Sequence, residues 1–447
     1  MKTTANIDAD VVVIGGGASG LMAAGRAAQR GARVLLLEKK DGCGKKILVS
    51  GKTRCNLTNA SDLEHFIAMY GPNGRFLRGA FSRFFRPELL AFFERQGLAT
   101  KVERGGRIFP VSDDAGDVVH VFQKYLTENK VRTIFNTRVN SVMPDGPSRL
   151  AVSTAGGRYL APCVVVATGG ASWPGTGSEG DGYALASALG HTIVKPRPAL
   201  VPLIVREQKL ARSMQGVSLR NIRATAFHGE AATVDFSLTP CCDYGRGAMK
   251  IPRPPVIESR FGEMLLTHFG LGGPVILLMS LAVADALEQG PVCLLVDLKP
   301  ALTKEQLRKR LQTDLNAFGK RKISTILKDY LPAKMIDPLM ALSGMDAATP
   351  ANQVGAAARE KMIDLLKALR FNIQAPLPLA KAIVTAGGVA LTEIDPRTMA
   401  SRKTPGLYFC GEVMDLDADT GGYNLQAAFS TGYVAGESAA NFAKAKT

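Results

Sequence analysis

The chain has 447 residues, 46% hydrophobic and 21% charged, which is long enough for two or three globular domains with buried cores. Its 55 Lys and Arg against 39 Asp and Glu give a net charge of +16. Such a charge attracts a phosphate-bearing cofactor, an anionic substrate, nucleic acid or a membrane surface, and does not choose among them. Seven cysteines without C-x-x-C spacing argue against a disulfide framework, a zinc site or a dithiol redox motif, so we expect no bound metal.

The N-terminal ten residues, MKTTANIDAD, are polar and do not resemble a signal peptide. The longest apolar stretch, residues 275–287, contains Ser280 and Asp285. It is also shorter than the roughly 20 residues that span a bilayer. We therefore expect a cytoplasmic protein without membrane insertion.

Residues 10–38 carry the clearest pattern in the chain. An apolar run, residues 11–14, leads directly into Gly15, Gly17 and Gly20 in G-x-G-x-x-G spacing. A helical pattern follows, and a second apolar run at 34–37 ends in an acid. The complete strand, turn, helix, strand and acid order predicts a dinucleotide site in a parallel α/β sheet.

Each conspicuous residue of this pattern has a physical task. Gly15 permits a tight turn, Gly17 lets backbone N–H groups approach a pyrophosphate, and Gly20 allows close packing of helix on strand. The helix N-terminus adds partial positive charge at the phosphates. Glu38 is placed to accept hydrogen bonds from a ribose diol, which favours an unphosphorylated ribose.

Residues 41–59, DGCGKKILVSGKTRCNLTN, are predicted to form a loop because glycines, basic residues and hydroxyl side chains alternate there. A loop after the second strand passes over the cofactor in a dinucleotide fold. The donors we expect there, for a pyrophosphate or a redox-active ring, come from Ser50, Gly51, Lys52, Arg54 and Asn56.

Residues 61–130 are predicted to be mainly helical, with phenylalanines at helical intervals. Strand-like runs at 131–135, 138–142 and 150–153 are expected to form a β-meander. Residues 163–170, CVVVATGG, predict a second buried parallel strand whose carboxyl end lies at the same sheet edge as Gly15.

The pattern of predicted elements changes after residue 195, and this change predicts an inserted domain. Short strands are expected at 201–205, 222–227, 233–238 and 292–298, and helices at 303–334 and 360–370. The basic runs 308–310 and 320–322 lie in an amphipathic pattern, for which a solvated helix face is the favoured interpretation. His268, beside a glycine loop, is either a proton donor or a structural histidine.

The last 70 residues return to the pattern of the N-terminal region, with a strand predicted at 407–410 and a helix starting near Tyr423. Asp415 is placed to hold a ribityl hydroxyl, and the N–H groups of Asn424 and Leu425 to approach a flavin pyrimidine edge. The predicted domains are 1–195 with 372–447 for the cofactor, 196–300 for an inserted barrel, and 301–371 for a helical subdomain.

Four motifs together resemble the BaiN/YhiN-type flavoproteins, a branch of the NAD(P)/FAD-dependent oxidoreductases: GGGASG, SGKTRCNLTN, ATGGASWPGTGSEGDGY and PGLYFCGEVMDLDADTGGYNLQ. The resemblance covers nearly the whole chain. It implies an α/β fold with a Rossmann-like FAD-binding domain (three-layer ββα), an inserted β-barrel domain and a helical subdomain. The FAD contacts implied or expected are Gly15, Gly17, Ala18, Ser19, Gly20, Glu38, Lys39, Lys46, Ser50, Gly51, Arg54, Cys55, Asn56, Val139, Ala167, Thr168, Gly169, Gly411, Glu412, Asp415, Gly422, Asn424 and Leu425.

The resemblance implies hydride transfer through flavin N5 to or from a small organic substrate. Reduction of a conjugated enone with NADH or NADPH is expected, and oxidation of an aminoacetone-like amine, an RNA-associated flavoprotein and a non-catalytic electron carrier stay open. A small-molecule substrate and no stable nucleic-acid partner are expected, with no oligomeric state assigned. The catalytic candidates are Arg54, His268 and Tyr423.

The chain departs from the family pattern at two positions. Thr53 stands where the family usually has glycine, and Gly272 where it usually has serine. The first departure concerns how closely the backbone approaches the flavin, and the second concerns the polarity of the inserted domain's glycine loop.

Overall fold

A computed structural model describes residues 8–246 and 254–446. The chain divides into two compact units. The first unit comprises Met1–Arg197 and Leu379–Thr447, and the second comprises Pro198–Pro378. The predicted boundary between residues 371 and 372 lies inside a strand of the second unit, Leu369–Pro376.

The strands are mostly short, as expected from the brief apolar runs in the sequence, whereas Ser218–His228 and Val256–Leu266 have 11 residues each. In chain order they are β1 (Val11–Ile14), β2 (Val34–Leu37), β3 (Thr58–Asn59), β4 (Thr100–Val102), β5 (Arg107–Pro110), β6 (Arg132–Ile134), β7 (Val139–Pro144), β8 (Leu150–Thr154), β9 (Gly157–Ala161), β10 (Cys163–Val166), β11 (Ile193–Ala199), β12 (Leu203–Val205), β13 (Ser218–His228), β14 (Val256–Leu266), β15 (Gly270–Gly272), β16 (Val292–Asp297), β17 (Leu369–Pro376), β18 (Val384–Val389) and β19 (Leu407–Phe409).

The α-helices are α1 (Ala18–Gln29), α2 (Lys45–Val49), α3 (Leu63–Ala68), α4 (Arg78–Phe81), α5 (Arg86–Arg95), α6 (Ala115–Glu128), α7 (Asp181–Ala188), α8 (Gln208–Ser213), α9 (Pro274–Leu287), α10 (Lys304–Ala317), α11 (Ile323–Ile326), α12 (Ala333–Ser343), α13 (Ala356–Lys367) and α14 (Tyr423–Lys446). No helix of residues 8–246 or 254–446 is long and apolar enough to cross a membrane.

The first unit is built on a parallel sheet with strand order β19-β10-β1-β2-β6. Every residue of β1, β2 and β10 is buried, which is why these strands are continuous apolar runs without alternation. The prediction that the run at 131–135 belongs to the meander was wrong. Residues 132–134 pair in parallel with Leu35–Leu37 at the sheet edge, and the meander consists of β7, β8 and β9.

Helix α14, near the end of the chain, packs directly on α1. Gly432 and Gly436 form one face of α14, and a Cβ atom at either position would lie 2.3 Å from the Ser19 carbonyl oxygen or 2.2 Å from that of Ala23. Both pairs are spaced four residues apart, so one turn of each helix meets the other. This contact is possible only because the two α14 positions lack side chains.

Replacing Gly436 by alanine should therefore lower the free energy of unfolding by about 1–3 kcal/mol, because the new methyl group forces the helices apart. Chemical denaturation of the FAD-loaded protein would measure this. Gly156→Ala is the control, since the nearest atom to its Cβ position is 3.9 Å away. Equal stability of G436A and G156A would contradict the packing.

The second unit contains a closed barrel with strand order β12-β15-β14-β13-β16-β17. Helix α9 and helices α10 to α13 share one apolar core with the barrel strands. The predicted strand at 233–238 was wrong. Thr233 N–H donates to Glu230 O at 3.0 Å and Ser237 N–H to the Asp235 side chain at 2.9 Å, so local bonds favour turns and a 3-10 helix there.

A buried histidine cluster fastens the loop before β19 in the first unit. His191, whose side chain is fully buried, contacts Glu393 through Nδ1 at 3.1 Å and Ser401 Oγ through Nε2 at 2.8 Å. Ser401 Oγ accepts from the backbone N–H groups of Lys403 and Thr404, so its own proton goes to Nε2. His191 is thus neutral, with its proton on Nδ1.

Burial lowers the pKa of His191 and outweighs the opposing effect of Glu393. The unfolded chain therefore binds a proton near pH 6.5 that the folded chain does not, and stability should fall as pH drops below that value. We expect the melting temperature to fall less between pH 7.5 and 5.5 in His191→Gln than in the unmodified protein. His120→Gln, at an exposed histidine, should leave the pH profile unchanged, and identical profiles for all three proteins would rule out this titration.

Candidate functional site

The glycine loop after β1 has the geometry that a bound pyrophosphate requires. Gly15 has φ +101°, and a Cβ atom there would lie 2.6 Å from Ala167 O. A Cβ atom at Gly20 would lie 1.9 Å from Gly15 O, whereas no atom lies within 4 Å of a Cβ position at Gly17. The loop is therefore closed against β10 and α1 on one side and open at the N-terminus of α1.

Glu38 is buried at the end of β2 with both carboxylate oxygens occupied. Gly16 N–H donates to Oε2 at 2.6 Å, and Lys40 N–H donates to Oε1 at 2.8 Å. These two amides fix the carboxylate beside the glycine loop, and each oxygen keeps a lone pair for a ribose hydroxyl. Burial raises the pKa of the neighbouring Cys43 thiol to about 12, with a smaller contribution from Glu38, so that thiol stays protonated.

The predicted loop at 41–59 contains two elements that the prediction missed. Residues 45–49 form α2, which begins after Gly44 at φ +74° and buries Ile47, and residues 58–59 pair with β5. These two elements contain too few apolar residues, at two or three positions, to show a helical or strand period in the sequence. Helix α2 carries Lys46, a predicted cofactor residue, toward the carboxyl end of the sheet.

Lys46 meets Glu412 in a partly buried polar network. Lys46 Nζ lies 2.6 Å from Glu412 Oε2 and 2.8 Å from Ser172 Oγ. Glu412 Oε1 accepts from Ser172 Oγ at 3.0 Å and from Thr385 N–H at 2.8 Å. The network joins the predicted loop at 41–59 to the two motifs that contain Ser172 and Glu412. Sequence reasoning missed Ser172 and Thr385 as its members, although Ser172 lies inside the ATGGASWP motif.

The loop after α2 has a left-handed backbone. Gly51, Lys52, Thr53 and Cys55 have φ angles of 56°, 59°, 66° and 60°. Side chains are disfavoured in this region, most of all β-branched ones. Thr53, where the family usually has glycine, is therefore strained, and this is consistent with a loop whose conformation is fixed by its surroundings.

Thr53→Gly should raise the free energy of unfolding by about 0.5–1 kcal/mol, because removing the left-handed strain outweighs the entropy that glycine costs. The matched control is Thr127→Gly in α6, where the same change should lower stability by about 0.5–1 kcal/mol. Denaturant titrations of both variants check the opposite signs. A loss of stability in T53G would show that the loop is not strained.

Arg54 is held by acids and an aromatic ring from the segment 103–113. Its Nη1 lies 2.8 Å from Glu103 Oε1 and 3.2 Å from Asp113 Oδ1, and its Nη2 lies 3.2 Å from Glu103 Oε2. The guanidinium carbon is 4.1 Å from the centre of the Phe109 ring. Three polar contacts thus fix the group in place, and sequence reasoning identified none of these partners.

Asn56 supplies a buried acceptor that no group within residues 8–246 and 254–446 satisfies. Its Oδ1 atom has no hydrogen-bond partner there, and neither has Thr58 Oγ1. Unsatisfied buried acceptors are costly and mark the place of an absent donor. Together with the open helix N-terminus at Gly17 and the carboxylate of Glu38, they fit FAD, whose ribityl hydroxyls and flavin N–H group are donors.

The far end of the predicted site lies between β18 and α14. Asp415 accepts from Asn73 Nδ2 at 3.2 Å and from Gly387 N–H at 3.1 Å, and burial raises the pKa of this carboxyl. The Asn424 side chain is bonded to both the N–H and the carbonyl of Ala418. Its side chain therefore closes a turn, which leaves the backbone N–H groups of 424 and 425 as the predicted flavin contacts.

The remaining predicted cofactor residues have identifiable surroundings. Lys39 pairs with Asp181 at 2.6 Å, and Ser19 Oγ donates to Cys410 O at 3.3 Å. Thr168 lies beneath α7, where its Oγ1 would be 2.1 Å from a Cβ atom at Gly182. Gly169, Gly411 and Gly422 have positive φ angles, and a Cβ atom at Gly422 would also meet the Thr58 backbone. Ala167 and Val139 are buried, and Leu425 is partly buried.

The catalytic candidates have different environments. The Tyr423 ring packs edge-on against Phe66 at 4.6 Å, and burial raises the pKa of its hydroxyl. Its backbone carbonyl accepts from Tyr70 Oη at 2.6 Å. His268 lies in the second unit, exposed at the tip of the turn between β14 and β15. Gly272 is in β15, where the nearest atom to its Cβ position is 3.6 Å away, so a side chain is sterically tolerated.

No three His, Cys, Asp or Glu side chains of the described ranges cluster as metal ligands would. The parallel sheet, the glycine loop and the buried carboxylate after β2 define a FAD-binding Rossmann-like protein with an inserted barrel. The model of the HI0933-like protein Rossmann domain matches residues 9–438, so the chain belongs to that family.

Three characterised relatives align along nearly their whole length. A 3-dehydro-bile acid delta(4,6)-reductase of Clostridium scindens is 35% identical over 432 residues, 96% of this chain and 98% of that protein. A ribosomal RNA dihydrouridine synthase of Escherichia coli is 29% identical over 427 residues, 95% and 96% of the two chains. Its counterpart in Haemophilus influenzae is 27% identical over 429 residues, which are 94% of this chain and 96% of that protein. The BaiN/YhiN-type resemblance is confirmed, and the protein is a FAD-dependent oxidoreductase.

Proposed function

We propose that this protein reduces a carbon–carbon double bond conjugated to a carbonyl group, with NADH or NADPH as the source of the electrons. The observation that carries the proposal is the 35% identity, over nearly all of both chains, to a reductase of 3-dehydro-bile acids. A delta(4,6) double-bond system beside a 3-oxo group is a conjugated dienone.

The other relatives support the same chemistry on a different substrate. Dihydrouridine differs from uridine by two hydrogens across the C5–C6 bond, which in uracil is conjugated to the C4 carbonyl. Reduction of the double bond next to the carbonyl in either substrate adds a hydride to the carbon β to that carbonyl and a proton to the α carbon. Bound FAD supplies the hydride, and the protein must polarise the carbonyl and deliver the proton.

Arg54 is the side chain we assign to the carbonyl. A guanidinium carries five N–H donors, and three of the directions around Arg54 are taken by Glu103 and Asp113. The remaining donors are available to an oxygen that gains negative charge as hydride adds. Because Glu103, Asp113 and Phe109 hold the group in place, it needs little reorganisation during the reaction.

Tyr423 and His268 are the proton-donor candidates. Burial raises the pKa of Tyr423, so its hydroxyl keeps its proton at neutral pH. Its ring is packed against Phe66, which restricts the directions in which that proton can be delivered. His268 is exposed at the tip of the turn between β14 and β15.

A uracil base within RNA is the second candidate substrate. The net charge of +16 favours it, because a polyanion gains more from that charge than a single steroid carboxylate does. The 29% and 27% identities to ribosomal RNA dihydrouridine synthases also support it. This candidate departs from the expectation of no stable nucleic-acid partner, although a substrate need bind only transiently.

The experiment is an anaerobic visible spectrum of the FAD-loaded protein with NADH or NADPH in separate cuvettes. We expect one nucleotide to bleach the flavin, and a 4,6-dien-3-one steroid or a uridine-containing RNA to restore its colour. If neither nucleotide bleaches the flavin but aminoacetone does, the protein is an amine oxidase and not a reductase.

Arg54→Ala should slow reoxidation by the enone at least tenfold and leave reduction by NAD(P)H much less affected, because only the enone carbonyl needs the guanidinium. Arg104→Ala, at an exposed arginine of the neighbouring segment, is the control. Equal reoxidation rates for the two variants would remove Arg54 from the mechanism.

A further inference from the structure

Helix α10 of the second unit has one face on which basic side chains are neutralised. Lys304 Nζ lies 3.1 Å from Glu360 and 2.5 Å from Asp364. Arg308 pairs with Glu360 at 2.7 Å and also with Glu305. These ion pairs fasten α10 to α13, so the charge on this face has a structural explanation.

A second group of basic residues, at the other positions of α10 and in the segment that follows, has no such explanation. Each is exposed, and within residues 8–246 and 254–446 none has a carboxylate oxygen within 4.0 Å. Residues 301–367, all of them described, contain twelve Lys and Arg against seven Asp and Glu. We call these residues the basic patch: Lys309, Arg310, Lys320, Arg321, Lys322 and Lys328.

Acidic side chains near the basic patch do not cancel its charge. Asp314 is engaged by the Tyr330 hydroxyl, and Asp329 is exposed beside Lys328. Residues 309–329, which hold all six cations, contain two carboxylates, so this segment carries a net positive charge that attracts anions.

An exposed aromatic ring lies within the basic patch. Phe318 is 41% exposed, and the Arg321 guanidinium carbon lies 4.6 Å from its ring centre. Arg310 lies 5.2 Å from the Tyr330 ring, but that ring is buried and offers no free face. An exposed phenylalanine beside a guanidinium offers two flat surfaces on which a nucleic-acid base can stack.

The backbone of this segment is fixed by the neighbouring 3-10 helix, Ala351–Gln353. Ala351 N–H donates to Arg321 O at 2.9 Å, and Asn352 N–H donates to Gly319 O at 3.1 Å. The segment therefore presents its side chains from a defined surface. Its aliphatic residues Ile323, Ile326 and Leu327 are buried in the core, so Phe318 is the one large apolar side chain exposed among residues 318–328, all of them described.

We propose that the basic patch is a docking surface for single-stranded RNA, with phosphates on the lysines and a base stacked on Phe318 and Arg321. The proposal rests on the second candidate of the proposed function, a uracil base in RNA. An anionic membrane would require several exposed apolar side chains around the patch, whereas Phe318 is exposed there and Ile323, Ile326 and Leu327 are buried. Charge beside an exposed aromatic ring is the combination that single-stranded nucleic acid selects.

The test is fluorescence anisotropy of the FAD-loaded full-length protein with a labelled uridine-rich 20-nucleotide RNA, at several salt concentrations. K320E/R321E/K322E should weaken binding at least tenfold and make the salt dependence shallower, because fewer counterions are released. The control K209E/R212E/R220E makes the same charge change at exposed positions of α8 and β13 and should weaken binding far less.

Phe318→Ala tests for base stacking, which attraction by charge alone would not produce. Loss of base stacking should weaken binding about tenfold with an unchanged salt slope. Melting temperatures of all variants check that each is folded. Equal RNA affinities of the patch and control triple variants would overturn the proposal, as would patch-dependent binding of phosphatidylglycerol vesicles in preference to RNA.

Reduction of a small dienone by the same variants separates this proposal from the proposed function. The patch variants should reduce a free steroid dienone at the rate of the unmodified protein. If neither the variants nor the unmodified protein reduce it, the proposed dienone reduction is wrong. The RNA-binding result then still tests the docking surface by itself.

Discussion

The contact between α14 and α1 is the constraint on which the first unit depends. Helix α1 begins at the glycine loop, and its N-terminus can face a pyrophosphate only if its other side is held against the rest of the unit. Gly432 and Gly436 allow the α14 backbone to reach the carbonyls of Ser19 and Ala23. Two helices from opposite ends of the chain are thereby joined at backbone distance, an ion pair between Arg26 and Glu437 adds to the contact, and the α1 N-terminus stays open for a ligand.

Polar groups elsewhere in the first unit are arranged in pairs that hold one another in place. Lys46 and Glu412 come from distant parts of the chain and share Ser172, and Arg54 is held between Glu103, Asp113 and Phe109. Removing charges from water is unfavourable unless each finds partners. Both clusters satisfy that condition, so the charged groups around the predicted flavin site are oriented before any substrate arrives.

The sequence was most informative where a local pattern determines the structure. The apolar runs of β1, β2 and β10 and the glycines between β1 and α1 follow from rules that act over a few residues. The errors lie where distant residues decide. The run at 131–135 joined the main sheet because Leu35–Leu37 offered an open edge, and β17 belongs to the barrel because β12 and β16 pair with it.

The candidate site shows the same division. The glycines and Glu38 could be identified from spacing, whereas Ser172, Thr385 and Glu103 could not, because nothing local distinguishes a residue that meets a charge from another part of the chain from one that meets water. The FAD contacts and catalytic roles of the individual residues stay predictions. The left-handed backbone at Thr53 was also invisible, since only the folded loop fixes its φ angle.

The division of the first unit between the two ends of the chain has a consequence for synthesis on the ribosome. The second unit, 198–378, is translated in full before β19 and α14. Until then the parallel sheet lacks its strand beside β10, and α1 lacks the helix that packs on it. The barrel can fold during elongation, but the cofactor site is complete only after the last helix leaves the exit tunnel. Capture of the flavin is therefore a late event, and a ribosome that stops early releases a folded barrel attached to an open, unfinished sheet.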